Sequence, residues 1–398
     1  MKVCVIDTSF PLEKQQNRGM AVKCVLWQLS KYDIEVTENL LSADLFLLSS
    51  VHPLTAKYGE RLKKYKKPII FGGAGALSPS AYLHFGDFVV CGDGDAVFKA
   101  LSKGRDISSL PNVLVHGKKN VEIDQSFPFQ CPPIQQEDGS FSVWCGRGCK
   151  NKCYFCQTGW ALEFQENPIS PEYIARNLIK QGRKISYLSN DLLQHSFYEK
   201  LPAVAHGSYS IRFMKKNGLP PARLIRIGVE GISERLRTFV NKPISREDLV
   251  KCSSWLNQNK KGVRWFLIAG LPTETADDWE ELKDSIMFWK KITPIGVLEL
   301  SFTAWCPDPA TPLAVMPLND DYYERFLGFK EWFFSGVGFS NKIKLYAPQS
   351  PKTRLEKAMF SMDIEKDTLY RGGYKENGNS IVNYPYKKAV EHIRGRWR

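Results

Sequence analysis

Short apolar runs alternate with amphipathic segments along most of this 398-residue chain, and the alternation restricts the fold more than any other sequence feature. The clearest helix-like segment is 20–29, where apolar residues recur on one side. Near-continuous apolar strands separated by helices are typical of a parallel sheet covered on both faces. The sequence therefore predicts an α/β fold that begins with a doubly wound, Rossmann-type domain over residues 1–103. Its predicted strands are 2–7, 44–50, 68–73 and 88–91.

The alternation stops at a proline-rich stretch, which predicts a linker over residues 104–140. From residue 141 strands and helices alternate again, and about six further β/α units fit before residue 313. That number predicts a partial (β/α)6 barrel of the TIM type, whose functional groups lie at the carboxyl ends of its strands. Residues 314–398 form a carboxyl-terminal extension in this scheme.

The charge balance of the chain is strongly basic. Lys and Arg residues number 55 and Asp and Glu residues 42, which gives a formal net charge of +13. This charge favours an anionic partner, for which RNA, a phosphorylated metabolite and an acidic peptide are candidates. A solvated basic surface explains the charge equally well, because net charge reports on solubility and non-specific attraction rather than on chemistry.

The apolar segments are too short for a membrane protein. None approaches the roughly 20 uninterrupted apolar residues of a membrane helix, and Asp7 interrupts the first run before it reaches the length of a signal peptide. We therefore expect no membrane partner and a cytoplasmic location. Ten cysteines in an intracellular chain favour thiol or metal chemistry over a disulfide framework.

Three closely spaced cysteines carry the strongest chemical signal, within the segment Cys145-Gly-Arg-Gly-Cys149-Lys-Asn-Lys-Cys153-Tyr-Phe-Cys156. Cys149, Cys153 and Cys156 can wrap around one four-iron cluster and bind three of its irons, which leaves one iron open to a substrate or cofactor. Zinc is the alternative, but a zinc site normally needs a second ligand pair and none follows. Cys145 is available as a fourth ligand, although we expect it to end a strand and point elsewhere.

This Cys-x-x-x-Cys-x-x-Cys spacing, with an aromatic residue before the last cysteine, resembles the signature of the radical S-adenosylmethionine (SAM) superfamily. The resemblance implies a 4Fe-4S cluster whose open iron binds SAM, with Phe155 packed near the adenine. Reductive cleavage of SAM would give a 5′-deoxyadenosyl radical that abstracts hydrogen from the substrate. The electron would come from a donor such as flavodoxin or ferredoxin.

Downstream segments resemble the same superfamily in the expected order, over about residues 141–313. Ser189 and Asn190 end the strand where the SAM amino group usually binds, although the common Gly-Gly-Glu is absent. Glu230 corresponds to the residue that faces the ribose, and Ile268 and Gly270 to the backbone that supports adenine. Taken singly, each segment is also explained as an ordinary strand end or helix start.

Glycine-rich strand ends in the amino-terminal region resemble the cobalamin-binding domain that precedes the barrel in one radical SAM class. The resemblance assigns Ser50, Gly72 and Gly73 to cobalamin, because glycines let a backbone approach a flat or phosphate-bearing ligand. The Asp-x-His-x-x-Gly element is absent, since Thr, Ser and Phe follow Asp7. Members of the class bind cobalamin without that histidine. The alternative is a degenerate Rossmann-like domain used for packing or substrate capture.

The resemblance predicts a cobalamin-dependent methyltransferase that acts on an unactivated carbon. One alternative is a methylthiotransferase, or another enzyme that modifies RNA, whose second cluster would need Cys4, Cys24 and Cys91. We expect these cysteines to be core residues instead. Another alternative is a non-catalytic iron–sulfur protein that binds RNA.

Two features of the carboxyl-terminal extension are compatible with nucleic-acid binding. An aromatic stripe over 322–334 predicts core packing, with a base-stacking platform as the alternative. The basic tail over 387–398 suits either phosphate binding or a solvated helix.

Overall fold

The structure is a computed structural model. It describes residues 1–11, 19–50, 53–77, 79–118, 120–128, 130–202, 208–211, 214, 224–292, 297–337 and 343–362. The basic tail over 387–398 lies outside the described residues. No helix in these ranges is long and apolar enough to cross a membrane.

Strands and helices alternate in the amino-terminal part as the sequence pattern predicts. The apolar runs form strands and the amphipathic segment over 20–29 forms the first helix. In chain order, the elements described there are β1 (Lys2–Asp7), α1 (Met20–Leu29), β2 (Glu35–Val36), β3 (Leu45–Ser49), α2 (Tyr58–Lys63), β4 (Ile69–Gly72), β5 (Phe88–Val90), α3 (Asp95–Ser102) and β6 (Val113–Leu114).

These strands form one sheet in the order β2-β1-β3-β4-β5-β6. Strands β1 to β5 are parallel, and β6 is antiparallel to β5. The order of strands reverses between β1 and β3, because β2 lies on one side of β1 and all later strands lie on the other. In open parallel sheets, ligands bind outside the carboxyl ends of the strands at such a reversal. The sheet therefore presents a binding position at the ends of β1 and β3.

Both faces of this sheet are buried, since consecutive residues of β1 enter different cores. Cys4 and Ile6 pack in one hydrophobic cluster, whereas Val3 and Val5 pack in the other. Burial on both faces accounts for the uninterrupted apolar runs in the sequence. It confirms the predicted parallel α/β architecture for this part of the chain.

The predicted linker contacts both parts of the molecule. Its short strand β7 (Ile134–Gln135) pairs antiparallel with β8 (Phe141–Trp144) of the second part. Lys23 on α1 donates to the Gln135 carbonyl oxygen at 2.6 Å. Hydrogen bonds to both sides fix the linker against α1 and β8.

The second part of the chain begins with β8 and contains both strands and helices. The elements described there are β9 (Gly146–Arg147), α4 (Gln157–Ala161), β10 (Gln165–Glu166), α5 (Pro171–Lys180), β11 (Ile185–Leu188), β12 (Ser208–Tyr209), β13 (Leu224–Gly231), α6 (Glu234–Phe239), α7 (Arg246–Gln258), β14 (Gly262–Ala269), α8 (Ala276–Ile292), β15 (Leu298–Ala304), α9 (Tyr322–Trp332), β16 (Ile343–Tyr346) and α10 (Pro351–Met362).

The larger strands of this part run parallel but are divided between two sheets. Strand β11 pairs with β8, and β12 to β16 form a separate five-stranded sheet in chain order. The six strands expected for the barrel are β8, β11, β12, β13, β14 and β15. Strand β16 adds to β15 from beyond residue 313. The six-unit barrel and the boundary at 313 stay predictions.

Helix caps and aromatic packing follow the sequence closely here. Ser245, with an acidic residue three positions later, has the sequence pattern of a capping box, and Ser245 and Asp248 form one at the start of α7. The aromatic stripe packs inward, because Phe326 and Phe329 of α9 contact the rings of Trp279 and Phe302. Most rings of the stripe are thus held in the core of the second part, as predicted.

Candidate cofactor site

The three cysteines lie on the loop that leaves the carboxyl end of β8. Gly148 has φ +71°, and a β-carbon there would lie 2.1 Å from the Glu163 carbonyl oxygen, so the loop needs glycine at this turn. Short strands β9 and β10 pair across the base of the loop. Cys156 then caps the start of α4. The backbone therefore returns Cys149, Cys153 and Cys156 to one end of the second part.

The donor set fits an iron–sulfur cluster. All three thiols are free of disulfides, and each interacts electrostatically with the others. Burial raises the pKa of Cys153 to about 12 and raises the pKa of Cys149. No three Cys, His, Asp or Glu side chains in the described ranges are close enough to hold a single metal ion. A cluster is larger than one ion and needs its thiolates farther apart.

Cys145 is separate from this set. It is fully buried in the core of the second part, and its thiol is directed to the Val143 carbonyl oxygen at 3.9 Å. Burial also raises the pKa of this thiol. The position agrees with the expectation that Cys145 ends the strand and points away from the cluster loop.

Ser189 and Asn190 follow β11 and meet the cysteine loop. The Asn190 amide donates to the Gly148 carbonyl oxygen at 2.9 Å. The Ser189 hydroxyl is 2.7 Å from Nε2 of His195, whose ring stacks on Phe197 with centroids 5.0 Å apart. Burial lowers the pKa of His195 to about 4, so the ring is neutral near pH 7. Asn190 therefore holds the cysteine loop in place, and Ser189 is oriented by the neutral His195.

Phe155 and Ile268 line a cavity of about 410 Å³, as the predicted adenine contacts require. Cys156 lines it as well, together with the end of β15 and side chains of α10. The indole Nε1 of Trp305, another lining residue, is buried and has no hydrogen-bond partner in the described structure. A ligand acceptor would satisfy this donor.

Gly270 supports this cavity from behind. It has φ +73°, its amide donates to Glu274 at 2.7 Å, and its carbonyl oxygen accepts from Arg354 at 2.8 Å. Burial raises the pKa of Glu274 to about 7. The ring of Tyr322 occupies the space beside Gly270. Gly270 thus fixes the end of β14, whereas Ile268 is the residue exposed to the cavity.

Glu230 ends β13 and binds a lysine. Its carboxylate lies 2.9 Å from Nζ of Lys242, and both side chains are largely buried. The backbone of Glu230 has φ +69° at a register shift of the strand. The ribose contact predicted for Glu230 therefore competes with an ion pair that the sequence did not reveal.

An apolar cavity of about 210 Å³ lies at the carboxyl ends of the amino-terminal strands, where the strand order reverses. Gly72 and Gly73 line it, and Phe127 and Trp144 close it from the linker and β8. These two rings make an edge contact at 4.9 Å. The indole Nε1 of Trp144 is buried without a partner among the described residues. A buried donor without a partner, in the wall of an apolar cavity at a switch point, is suited to bind a ligand.

A second cavity of about 420 Å³ continues from the first and shares Gly73, Phe127 and Trp144 with it. Gly148, Ser189 and Asn190 line its other side. The two cavities adjoin each other, and together we call them the cleft, which reaches from the amino-terminal sheet to Gly148 on the cysteine loop. Residues that are far apart in sequence thereby line neighbouring cavities.

The glycines behave differently from Ser50. Gly72 has open space around its α-carbon, whereas a β-carbon on Gly73 would lie 2.6 Å from the Ser50 carbonyl oxygen. The Ser50 hydroxyl is bonded within the domain to Thr55 at 2.6 Å and to Tyr82 at 2.8 Å. Ser49 lines the cavity and Ser50 does not. The Ser50 side chain therefore does not reach the cavity in which the prediction placed its contact with cobalamin.

The cysteines of the alternative second cluster are separated. Cys4 and Cys91 are buried in one core cluster, and Cys24 is buried in another beside Cys131. The interpretation of these cysteines as core residues agrees with their burial.

Several residues of the site escaped sequence reasoning, among them Lys242, His195, Trp144 and Phe127. Each sits in a loop or at a strand end without a recognisable motif. Only the positive charge of Lys242 and the aromatic character of the others offered a signal, and many residues of the chain share those properties.

Comparison with known proteins places the fold. No protein-family model matches the chain. The uncharacterized protein MJ0966 of Methanocaldococcus jannaschii is 25% identical over 260 residues, which cover 58% of this chain and 57% of that protein. The chain thus spans a little over half the length of this relative.

Solved structures give a broader match. TsrM, a radical S-adenosylmethionine methyltransferase from Kitasatospora setae with tryptophan substrate and a SAM analogue bound, matches over 99% of this chain and 88% of its own, with 13% identity and a TM-score of 0.58. The cobalamin-dependent radical SAM enzyme OxsB, with aqua-cobalamin and SAM bound, matches over 72% and 51%, with 14% identity and a TM-score of 0.51. The chain therefore has a mixed α/β fold similar to that of cobalamin-dependent radical SAM enzymes, which confirms the resemblance seen in its sequence.

Proposed function

We propose that this chain is a radical SAM enzyme that uses cobalamin, and that it transfers a methyl group to an unactivated carbon. The observation that carries the proposal is the cleft, whose two adjoining cavities reach from the switch point of one sheet to Gly148 on the three-cysteine loop. TsrM has also been solved with cobalamin and a [4Fe-4S] cluster bound, in a structure with a TM-score of 0.56 to this chain. The two cofactors of the proposal are those seen in that protein.

The cysteine loop would hold the cluster through Cys149, Cys153 and Cys156. When bound, such a cluster supplies the electron for reductive cleavage of SAM, and cobalamin supplies a carrier for the methyl group. The chain itself orients the loop through the hydrogen bond from Asn190 to Gly148. Cys149 and Cys156 are only partly buried, and Cys156 lines the cavity that also contains Phe155 and Ile268.

SAM would occupy the cavity lined by Phe155 and Ile268, with the Trp305 indole as a hydrogen-bond donor. Ser189, oriented by His195, would face the amino-acid end of SAM from the adjoining cleft. The corrin would lie against Gly72 and Gly73 beneath the Phe127 and Trp144 rings. Carbon atoms form most of the lining on this side, which suits the apolar faces of a flat ligand.

The substrate and the electron donor extend the proposal. A net charge of +13 supports an anionic substrate, such as RNA, a phosphorylated metabolite or a peptide. Flavodoxin or ferredoxin would donate the electron, in the cytoplasm. The proposed architecture is a cobalamin-binding domain over 1–103, a linker over 104–140, a six-unit partial barrel over 141–313 and an extension over 314–398.

The decisive experiment compares Cys149→Ala, Cys153→Ala and Cys156→Ala with the matched control Cys145→Ala. After anaerobic reconstitution, iron and sulfide content and the yield of 5′-deoxyadenosine from SAM with dithionite are measured. We expect each of the three variants to lose SAM cleavage, because a cluster that loses one of three thiolates is labile. Cys145→Ala should retain it.

Three results would contradict the proposal. An active triple variant would remove the cluster assignment, and so would a Cys145 variant as inactive as the others. About eight irons per chain would favour the methylthiotransferase alternative, which needs a second cluster. Absence of corrinoid binding by the wild type would end the methyl-transfer part and leave the radical SAM part standing.

A further inference from the structure

Lys242 is held beside Cys153 by the backbone of two distant segments. The turn after α6 runs along the cysteine loop, where the Tyr154 amide donates to the Val240 carbonyl oxygen at 3.0 Å. The Asn241 side chain donates to the Lys152 carbonyl oxygen at 2.8 Å. These two bonds join the turn to the loop on both sides of Cys153, so the next residue of the turn, Lys242, is fixed near that thiol.

A buried arginine fixes the turn itself. Arg237 is 1% exposed, and its guanidinium donates to the Ile244 carbonyl oxygen at 2.6 Å and to the Gly231 carbonyl oxygen at 3.3 Å. Its own carbonyl oxygen accepts from the Lys242 amide at 2.9 Å. The position of Lys242 is therefore determined by the packed interior of the second part and not by a mobile surface loop.

Glu230 reaches Lys242 through an unusual strand end. Its φ of +69° lies in the left-handed region, which disfavours residues with a side chain. Gly228 makes room for the pair, because a β-carbon there would lie 2.2 Å from the Glu230 carboxylate and 2.8 Å from Nζ of Lys242. A strained residue and a glycine are both needed to bring these charges together.

The ammonium group of Lys242 acts on the cluster ligands as well as on Glu230. Burial raises the pKa of Cys149 and of Cys153, and the positive charge of Lys242 opposes that rise at both thiols. One carboxylate oxygen of Asp191 is buried without a hydrogen-bond partner among the described residues. Charges in such a site are screened weakly by salt, so they act on one another more strongly than surface charges do.

We propose that Lys242, held by Glu230, is a positioning residue that sets the reduction potential of the cluster bound by Cys149, Cys153 and Cys156. The inference rests on the proposed function, since it requires that cluster. Reduction adds one electron from a donor such as dithionite or flavodoxin to the cluster, and no bond forms or breaks. A fixed positive charge stabilises the more negative, reduced cluster, so it raises the potential. Glu230 offsets part of this effect.

The test is a redox titration followed by EPR, at fixed pH and without SAM, on reconstituted wild type and variants. Lys242→Gln should lower the midpoint potential by about 59 mV, which corresponds to a tenfold change in the reduction equilibrium for one electron. Lys242→Arg should restore most of it. Glu230→Gln keeps a hydrogen-bonding side chain and removes the negative charge, so it should shift the potential in the opposite direction and by less.

A surface pair provides the matched control. Lys251 and Glu247 form an exposed ion pair at 2.5 Å on α7, and Lys251→Gln should leave the potential unchanged. Iron content, measured first, separates loss of the cluster from a change in its potential. If Lys242→Gln does not retain iron, Glu230→Gln and Lys242→Arg still decide the question.

An iron-loaded Lys242→Gln variant with the wild-type potential would overturn the inference. Shifts of the same sign in Lys242→Gln and Glu230→Gln would do so too, since structural damage and not charge would then be acting. A wild-type protein that binds no cluster would instead overturn the proposed function. The two failures are therefore distinguishable.

Discussion

The two sides of the cleft are built from different chemistry. The amino-terminal side is a nearly apolar hollow at the ends of β1, β3 and β4, shaped by glycine backbone and closed by aromatic rings. The cysteine side contains buried titratable groups, among them Asp191, His195, Glu230 and Lys242. The hollow is not free of titratable groups, because Asp93 lines it and burial raises the pKa of that carboxyl, but such groups are more numerous on the cysteine side.

This difference predicts which kind of substitution each side of the cleft tolerates. A ligand on the apolar side is selected by shape, so added volume should harm binding more than a change of charge. On the cysteine side, substitutions of similar volume that alter a charge should dominate. Burial raises the pKa of Asp191 to about 6 and lowers the pKa of His195 to about 4, so both shifts favour the neutral form of the group.

The largest expected effect is on the stability of the apolar side. Gly73→Val should lower the free energy of unfolding by at least about 3 kcal/mol, because Gly73 has φ +94° and a side chain would strike the Ser50 backbone. Chemical denaturation followed by circular dichroism measures this. A fully stable Gly73→Val protein would mean that the strand end is not built as described.

Gly72→Val separates binding from folding on the same side. Nothing lies within 4 Å of a β-carbon at Gly72, so the side chain would project into free space beside the cavity. We expect corrinoid affinity to fall about tenfold or more and stability to change by less than about 0.5 kcal/mol. Titration with hydroxocobalamin under anaerobic conditions, followed by its visible spectrum, reports affinity.

Gly328→Val is the matched control for this experiment, because Gly328 also has free space and lies far along the chain on α9. It should leave corrinoid binding intact. Wild-type affinity in Gly72→Val would show that the ligand does not occupy the hollow.

On the charged side, His195 should make stability depend on pH. Burial lowers its pKa from 6.5 to about 4, so between these values the unfolded chain binds more protons than the folded one. The stabilisation is complete above pH 6.5 and is lost as the pH falls through 4. Wild type should therefore lose about 1–2 kcal/mol between pH 7 and pH 5 through this group.

His195→Phe should abolish that loss while it preserves the stacking on Phe197. Unfolding free energies at pH 7 and pH 5 measure the difference. Substitution of the exposed His84 by Phe provides the control and should leave the pH dependence unchanged. An unaltered pH dependence in His195→Phe would mean that another group is responsible.

The smallest expected effect concerns a buried thiol far from the cluster loop. Cys91 is fully buried and its thiol donates to the Ala76 carbonyl oxygen at 3.3 Å. Cys91→Ala should cost roughly 1 kcal/mol of stability and leave the iron content unchanged. Loss of iron in this variant would instead support the hypothesis of a second cluster in the amino-terminal part.

Much of the fold was predictable because its signals are local. The apolar runs of β1, β3, β4 and β5 lie within a residue or two of their predicted bounds, and the capping box of α7 is formed as expected. The pairing of β16 with β15 was not predicted, because a short strand beyond residue 313 has no pattern of its own. Ser50 was also misleading, since its neighbour Ser49 reaches the cavity instead.

The sequence by itself determined the three-cysteine loop and the two α/β parts. Ligand spacing and hydrophobic periodicity act over a few residues, so both can be inferred without the fold. Only the tertiary structure decided that Lys242 lies beside Cys153 and that Trp144 closes the apolar hollow. Asn241 and Lys152 bond across 89 positions of sequence, and such contacts exist only because both sheets are packed. Long-range packing, which no local sequence pattern records, therefore determined where the charged side chains lie and what shape the cleft has.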